Sequence, residues 1–181
     1  MLTHETRWLV YPAALPLIRR RCLRCPSALY RPNGKFRINA NHKLLDVWLL
    51  ALCTGCGETI KLTVLERANV RTINPATLTR FHDNDATLAA TLLPDPGLLR
   101  RNNVALNWDG AWALRKETVA GADTTGVHFT ERIPLRPTTL LAAGLEVSRS
   151  EVNRLVAGGF LQSSHRLTGR SSTDFTFTLR R

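Results

Sequence analysis

Residues 22–25 read Cys-Leu-Arg-Cys and residues 53–56 read Cys-Thr-Gly-Cys. The four cysteines of the chain thus fall into two C-x2-C pairs, with 27 residues between Cys25 and Cys53. A C-x2-C turn lets two sulfurs face one ion while amides of the turn support them, and two such turns close a tetrahedral site. Paired knuckles at this spacing point to metal rather than to a disulfide framework. Zinc is the expected ion, one per chain, held by Cys22, Cys25, Cys53 and Cys56. The expected role is structural, because four thiolates leave no open coordination position. A single iron in the same sulfur cage and a dithiol redox pair are the alternatives. His42 is at most a spare ligand.

Between the knuckles, Phe36 to Asn39 leads into a polar tip, Ala40 to Lys43, and then into the apolar run Leu44 to Leu52, which reads as a strand. A further strand, Thr59 to Leu65, follows the second knuckle. Knuckle, hairpin, knuckle and strand predict a zinc ribbon over residues 1–72, a small sheet that draws folding energy from its metal. The tip offers Lys35, Arg37, Asn39, Asn41, His42 and Lys43 as donors to phosphate or base edges. Asn and Lys are equally ordinary residues of a solvated turn.

The chain has 181 residues, 44% of them hydrophobic and 22% charged, which excludes a disordered polymer and predicts a soluble folded protein. No stretch approaches the roughly 18 apolar residues of a membrane helix, so no membrane partner is expected. The run Trp8 to Ile18 is interrupted by Pro12 and Pro16, and Arg19, Arg20 and Arg21 follow it, so it does not read as a secretory signal. Together with metal-type cysteines this predicts a cytoplasmic location. The formal net charge is +11 and the pI near 10.7, an excess that favours a polyanionic partner. Residues 1–72 hold twelve basic and four acidic residues, net +8; residues 73–130 hold five and six, net −1; residues 131–181 hold eight and four, net +4.

Four stretches carry a family resemblance: CLRC, FRINANHKLLDVW, CTGC and ERANVRTINPATLTRFHDND. They resemble a bacterial family catalogued as domain of unknown function 1062, over most of the chain. The resemblance implies a cytoplasmic bacterial protein with a bound metal and brings no established activity. His82, in FHDND, departs from the family pattern.

Residues 73–130 read as a helical spacer with a hairpin. Asn74-Pro75 and Asp95-Pro96 are helix starts, with Leu78, Phe81 and Leu88 to Leu93 as apolar positions. Asp109-Gly110, between Val104–Trp108 and Ala111–Leu114, predicts a tight primed hairpin turn. His82, Asp83 and Asp85 suit caps and surface positions better than a metal site. Residues 118–130 read as a flexible connection.

In residues 131–181, Thr138 to Ala143 predicts a short helix closed by Gly144. Ser148-Arg149-Ser150-Glu151 is a capping box that opens a second helix, with Val152, Leu155 and Val156 on one face. Gly158-Gly159 stops it, Phe160 starts a strand, and Phe175 to Leu179 closes the chain with alternating Thr. The segment LRPTTLLAAGLEVSRSEVNRLVAGGFL resembles the alpha-L (S4-type) RNA-binding motif of a ribosomal small-subunit protein, pseudouridine synthases and tyrosyl-tRNA synthetases. Arg136 matches the Arg that starts the motif's first helix, Ser148-Arg149-Ser150 its SRS, Arg154 an Arg before the apolar pair, and Gly159 its Gly. Pro137-Thr138 and Gln162-Ser163-Ser164 depart from it. The resemblance implies phosphate contacts from Arg136, Arg149 and Arg154.

The expected architecture is therefore α+β: an N-terminal four-cysteine zinc ribbon, a helical middle and a C-terminal alpha-L-like α/β module. The expected function is binding of structured RNA, with Arg37 and Lys43 at the ribbon tip as a second contact surface. The same helices also fit a helix-turn-helix regulator that reads DNA, and the ribbon also fits a protein-interaction adaptor. No Ser-His-Asp spacing, phosphate-cradling Gly loop or paired-carboxylate motif stands out, so no catalytic residue and no small-molecule substrate is assigned.

Overall fold

The computed structural model describes residues 5–180. Residues 1–4 and 181, at the outer edges of the expected first and third modules, lie outside the described residues. The fold is α+β, with two five-stranded sheets and five α-helices among the described residues. The chain divides into two compact units, residues 15–107 and residues 1–14 with 108–181.

The unit of residues 15–107 is built on an antiparallel sheet. Its strands are β2 (Leu17–Arg19), β3 (Leu29–Asn41), β4 (Leu44–Cys53), β5 (Thr59–Asn69) and β6 (Ala105–Asn107), in the order β5-β4-β3-β2-β6. The alternation of β4 decides which face becomes core. Leu45, Val47, Leu49, Ala51 and Cys53 are buried, whereas Trp48 and Leu50 between them are half-buried. Three short helices complete this core: α1 (Pro75–His82), α2 (Ala86–Leu92) and α3 (Pro96–Arg101). Each begins on a side-chain cap, in which Asn74 accepts from the Ala76 amide, Asp85 from Leu88 and Asp95 from Leu98. Phe81 of α1 meets Phe36 of β3 edge to face at 5.0 Å, and Leu88, Ala89, Leu93 and Leu98 join the same core.

The long strands are bulged, and polar side chains satisfy the backbone groups that the irregularities release. The β3–β4 register shifts between Pro32 and Phe36, where Asn84 Oδ1 accepts from the Phe36 amide at 2.7 Å. The β4–β5 register shifts around Val47. There Asn102 accepts from the Thr63 amide at 2.7 Å and donates to the Thr63 carbonyl at 3.0 Å, and Arg101 donates to the Val64 carbonyl at 2.6 Å. Asp46 accepts from the amide of Arg67, which has a φ of 46°. Bulges leave unpaired backbone groups, and these side chains pair them.

The second unit gathers both ends of the chain. Its sheet comprises β1 (Glu5–Pro12), β7 (Trp112–Glu117), β8 (Thr124–Phe129), β9 (Leu161–Ser163) and β10 (Phe175–Leu179), in the order β7-β1-β8-β10-β9. Strands β1 and β8 are parallel, and the other pairs are antiparallel. Helices α4 (Pro137–Leu145) and α5 (Arg149–Ala157) bury Leu140, Leu141 and Val152 in a core that also holds Trp8, Val10, Val127, Phe175 and Phe177. Trp8 and Phe177 pack edge to face at 5.0 Å. A Cβ on Gly144 would lie 2.1 Å from the Trp8 ring, so α4 approaches β1 closely only because this residue has no side chain.

Several expectations need correction. The division into residues 1–72, 73–130 and 131–181 gives way to two units, because the helices of residues 75–101 complete the core of the cysteine-bearing sheet and β1 pairs with strands from the C-terminal half. Residues 118–130 are not a flexible connection throughout: residues 124–129 form β8, which lies between β1 and β10 with Gly126 and Val127 buried. Strand pairing on both edges overrides the weak local pattern of TTGVHF. Asp109-Gly110 does not close a hairpin, since β6 pairs with β2 and β7 with β1. The Ala111 amide donates to the Trp108 carbonyl, but only Gly110 of the central pair has positive φ, which a primed type I turn requires at both. Gly144 lies within α4, and the left-handed cap is Glu146 at φ 59°.

Candidate metal centre and basic groove

Two equivalent knuckles bring the cysteines together. Cys22 and Cys25 follow β2, Cys53 ends β4 and Cys56 precedes β5. In each knuckle the first cysteine's sulfur accepts from the amide two residues on, Arg24 to Cys22 and Gly55 to Cys53, both at 3.4 Å. The amide of that cysteine donates five residues ahead, Cys22 to the Ser27 carbonyl and Cys53 to the Glu58 carbonyl. Ser27 and Thr54 hydroxyls meet at 2.9 Å, and Arg24 pairs with Glu58 at 3.2 Å, tying one knuckle to the other. A Cβ on Gly55 would lie 2.9 Å from Cys25 Sγ, so the second knuckle needs glycine there.

The four sulfurs lie within 4.8 Å of one another, with Cys25–Cys53 at 3.5 Å and Cys22–Cys56 at 3.7 Å. Zinc–sulfur bonds of about 2.3 Å in a tetrahedron set sulfurs about 3.8 Å apart. The cluster therefore fits a tetrahedral ion, and it is the one such cluster of His, Cys, Asp and Glu among the described residues. Tyr30, buried beneath the site, hydrogen-bonds Cys22. That bond, with the Arg24 amide, pulls the Cys22 thiol down to about 6, so it favours the thiolate that a metal needs. The same bond, with burial, raises the Tyr30 hydroxyl above its ordinary value. Tyr30 was not singled out in the sequence; its place opposite Cys53 in the β3–β4 register brings it to the metal site.

His42 sits in the turn at the far end of β4 from Cys53, with a φ of 54°, and takes no part in the cluster. Asp83 ends α1, while Asp85 caps α2 and pairs with Arg80 at 2.7 Å. These residues hold helix ends and form no metal cluster.

The candidate nucleic-acid residues separate. Arg37 and Lys43 are exposed on β3 and on the β3–β4 turn. Arg37 stands opposite Trp48 on β4, and Lys61 lies over the Trp48 ring at 5.4 Å. Arg136, Arg149 and Arg154 belong to the other unit. Arg136 is the residue before α4, where its side chain makes no cap bond, and Arg149 opens α5, whose cap Ser148 accepts from the Glu151 amide at 3.1 Å. Arg136 and Arg149 line one groove of about 750 Å³ with Arg170, Asp109, Trp112, Leu135, Thr139 and Ala143. Arg154 is exposed, pairs with Glu151 one turn back and is not among the groove residues. Arg170, absent from the sequence-derived set, lies far along the chain in an irregular segment, and only the tertiary fold brings it to the groove.

No helix among the described residues is long and apolar enough to cross a membrane. Comparison with curated proteins and with solved structures finds no match. The family model of DUF1062 matches residues 38–167, a span that takes in the second knuckle, the helices of the first unit and both helices of the second. That span is well over half of the chain, and the chain belongs to the DUF1062 family of proteins of unknown function.

Proposed function

We propose that this protein is a zinc-stabilised cytoplasmic protein that binds structured RNA through its basic C-terminal module. The zinc reading is supported by four sulfurs within 4.8 Å of one another in paired knuckles, a set compatible with a closed structural zinc site. Cys22, Cys25, Cys53 and Cys56 would hold the ion, which would supply folding energy and no chemistry.

The observation that carries the RNA reading is the convergence of Arg136 and Arg149 on one groove beside Arg170. Among the described residues neither Arg136 nor Arg149 has a side-chain hydrogen bond or an ion pair. Uncommitted guanidiniums at the starts of two adjacent helices suit phosphates, and the alpha-L-like order of the segment agrees with that use. Arg154 is the weaker member of the set, because Glu151 already neutralises it. The ribbon-tip residues Arg37 and Lys43 remain a second surface.

The test is fluorescence anisotropy with a hairpin RNA and a duplex DNA of equal length at several salt concentrations. RNA is expected to bind more tightly, and Arg136→Gln with Arg149→Gln is expected to reduce the salt slope by about 2. Preference for the duplex DNA would replace the RNA reading with that of a DNA-binding regulator. An unchanged slope would move the contact away from the groove.

A further inference from the structure

The groove has more than positive charge in it. Its guanidiniums come from three places: the start of α4, the start of α5 and the segment between β9 and β10. They are not equivalent. Arg170 is occupied by the chain itself, donating to the Pro134 carbonyl at 3.4 Å and lying 3.8 Å from the Asp109 carboxylate. Arg136 and Arg149 are left to a ligand. The rest of the lining includes a half-buried indole, Trp112, the buried Leu135 and the exposed Ala143.

Each part suits a different part of one kind of molecule. Two uncommitted guanidiniums balance a terminal phosphate, which carries close to two negative charges, better than an internal phosphodiester, which carries one. The Asp109 carboxylate, 3.8 Å from Arg170, has several lone pairs and can accept from sugar hydroxyls. Trp112 offers a ring face or edge to a flat base. The volume of about 750 Å³ lies in the range of small-molecule sites.

We propose that this groove binds a nucleoside 5′-monophosphate group, with the phosphate on Arg136 and Arg149, the ribose at Asp109 and the base against Trp112. The group can be a free nucleotide or the 5′ end of an RNA; the chemistry recognised is the same. This goes beyond the RNA reading by naming one terminal group, where that reading needs only backbone phosphates.

The test uses the full zinc-loaded chain and isothermal titration with adenosine 5′-monophosphate, adenosine and inorganic phosphate. The nucleotide is expected to bind at least about tenfold more tightly than either fragment. Arg136→Gln and Arg149→Gln are each expected to cost about tenfold or more, as for a lost charge-assisted hydrogen bond. Trp112→Leu is expected to weaken the nucleotide and leave inorganic phosphate unchanged. Arg136 makes no cap bond and Arg149 no ion pair, so neither Gln variant threatens the fold; unchanged zinc content and circular dichroism would verify this. A parallel arm compares a hairpin RNA carrying a 5′-phosphate with the same RNA ending in a 5′-hydroxyl.

Tight binding of the phosphorylated hairpin without free nucleotide binding would support the proposal with RNA as the source. Nucleotide binding without hairpin binding would support it with the free nucleotide as the source, and would end the RNA reading. Hairpin binding indifferent to the 5′-phosphate, with no nucleotide binding, would overturn this proposal and leave the RNA reading standing. Nucleotide binding undiminished in both Gln variants would also overturn it.

Discussion

The two units of this chain solve the same stability problem by different means. The unit of residues 15–107 closes one end of its sheet with four sulfurs, and elsewhere pins bulged strands with Asn84, Asn102 and Arg101. The unit of residues 1–14 and 108–181 contains no cysteine. Its tight spot is an aromatic one, with Trp8 against Phe177 and the bare backbone of Gly144. On the proposed zinc reading the first unit's folding is conditional on metal, whereas the second, which has no cysteine, depends on close packing.

The largest effect that would break this contrast is loss of the metal. Cys53→Ser is expected to abolish stoichiometric zinc and unfold residues 15–107, because structural zinc in small ribbons supplies about 10 kcal/mol or more of apparent folding energy. Metal analysis should find one zinc per wild-type chain and little in the variant. Hydrogen exchange should show collapsed protection in β3 to β5 and retained protection in β8 and β10. A folded, metal-free variant would remove the distinction between the units.

A smaller effect tests the packed unit. Gly144→Ala puts a methyl into the Trp8 ring and is expected to cost about 1–3 kcal/mol in urea unfolding, with zinc content unchanged. Neutral behaviour would mean that Trp8 can move and that the contact is not tight.

The smallest effect sharpens the account of the bulges. Asn102→Ala leaves the Thr63 amide and carbonyl without their side-chain partner and is expected to cost about 1–2 kcal/mol. Exchange should accelerate first at Thr63 and its β4 neighbours. Loss without any local change in β5 would show that Asn102 acts through α3 instead.

The four-cysteine cluster was legible because its information is local. Two C-x2-C turns carry their own amide–sulfur bonds, so spacing alone predicts that Cys22 faces Cys25 and Cys53 faces Cys56 across one ion. The helix starts at Asn74, Asp95 and Ser148 were legible for the same reason, since a cap bonds an amide two or three residues away. The capping box at Ser148 formed only in part: Ser148 caps the helix, but Glu151 turns to Arg154.

What the sequence missed was non-local. Strand β8 has no clear period of its own and becomes a strand because β1 and β10 supply partners from either end of the chain. Asp109-Gly110 looks like a hairpin turn, yet its flanking strands do not pair with each other: β7 pairs with β1, 100 or more residues back, and β6 with β2, 86 to 90 residues back. Arg170 and Trp112 reached the groove by the same tertiary route. The sequence by itself determined the four-cysteine knuckles, the helix caps and the positive charge, because each is set by residue type and short spacing. Only the tertiary structure decided that β1 joins the C-terminal strands, and that Arg136 and Arg149 share a groove while Arg154 does not. Strand partners and groove walls are chosen by long-range hydrogen bonding and burial, which no local pattern encodes.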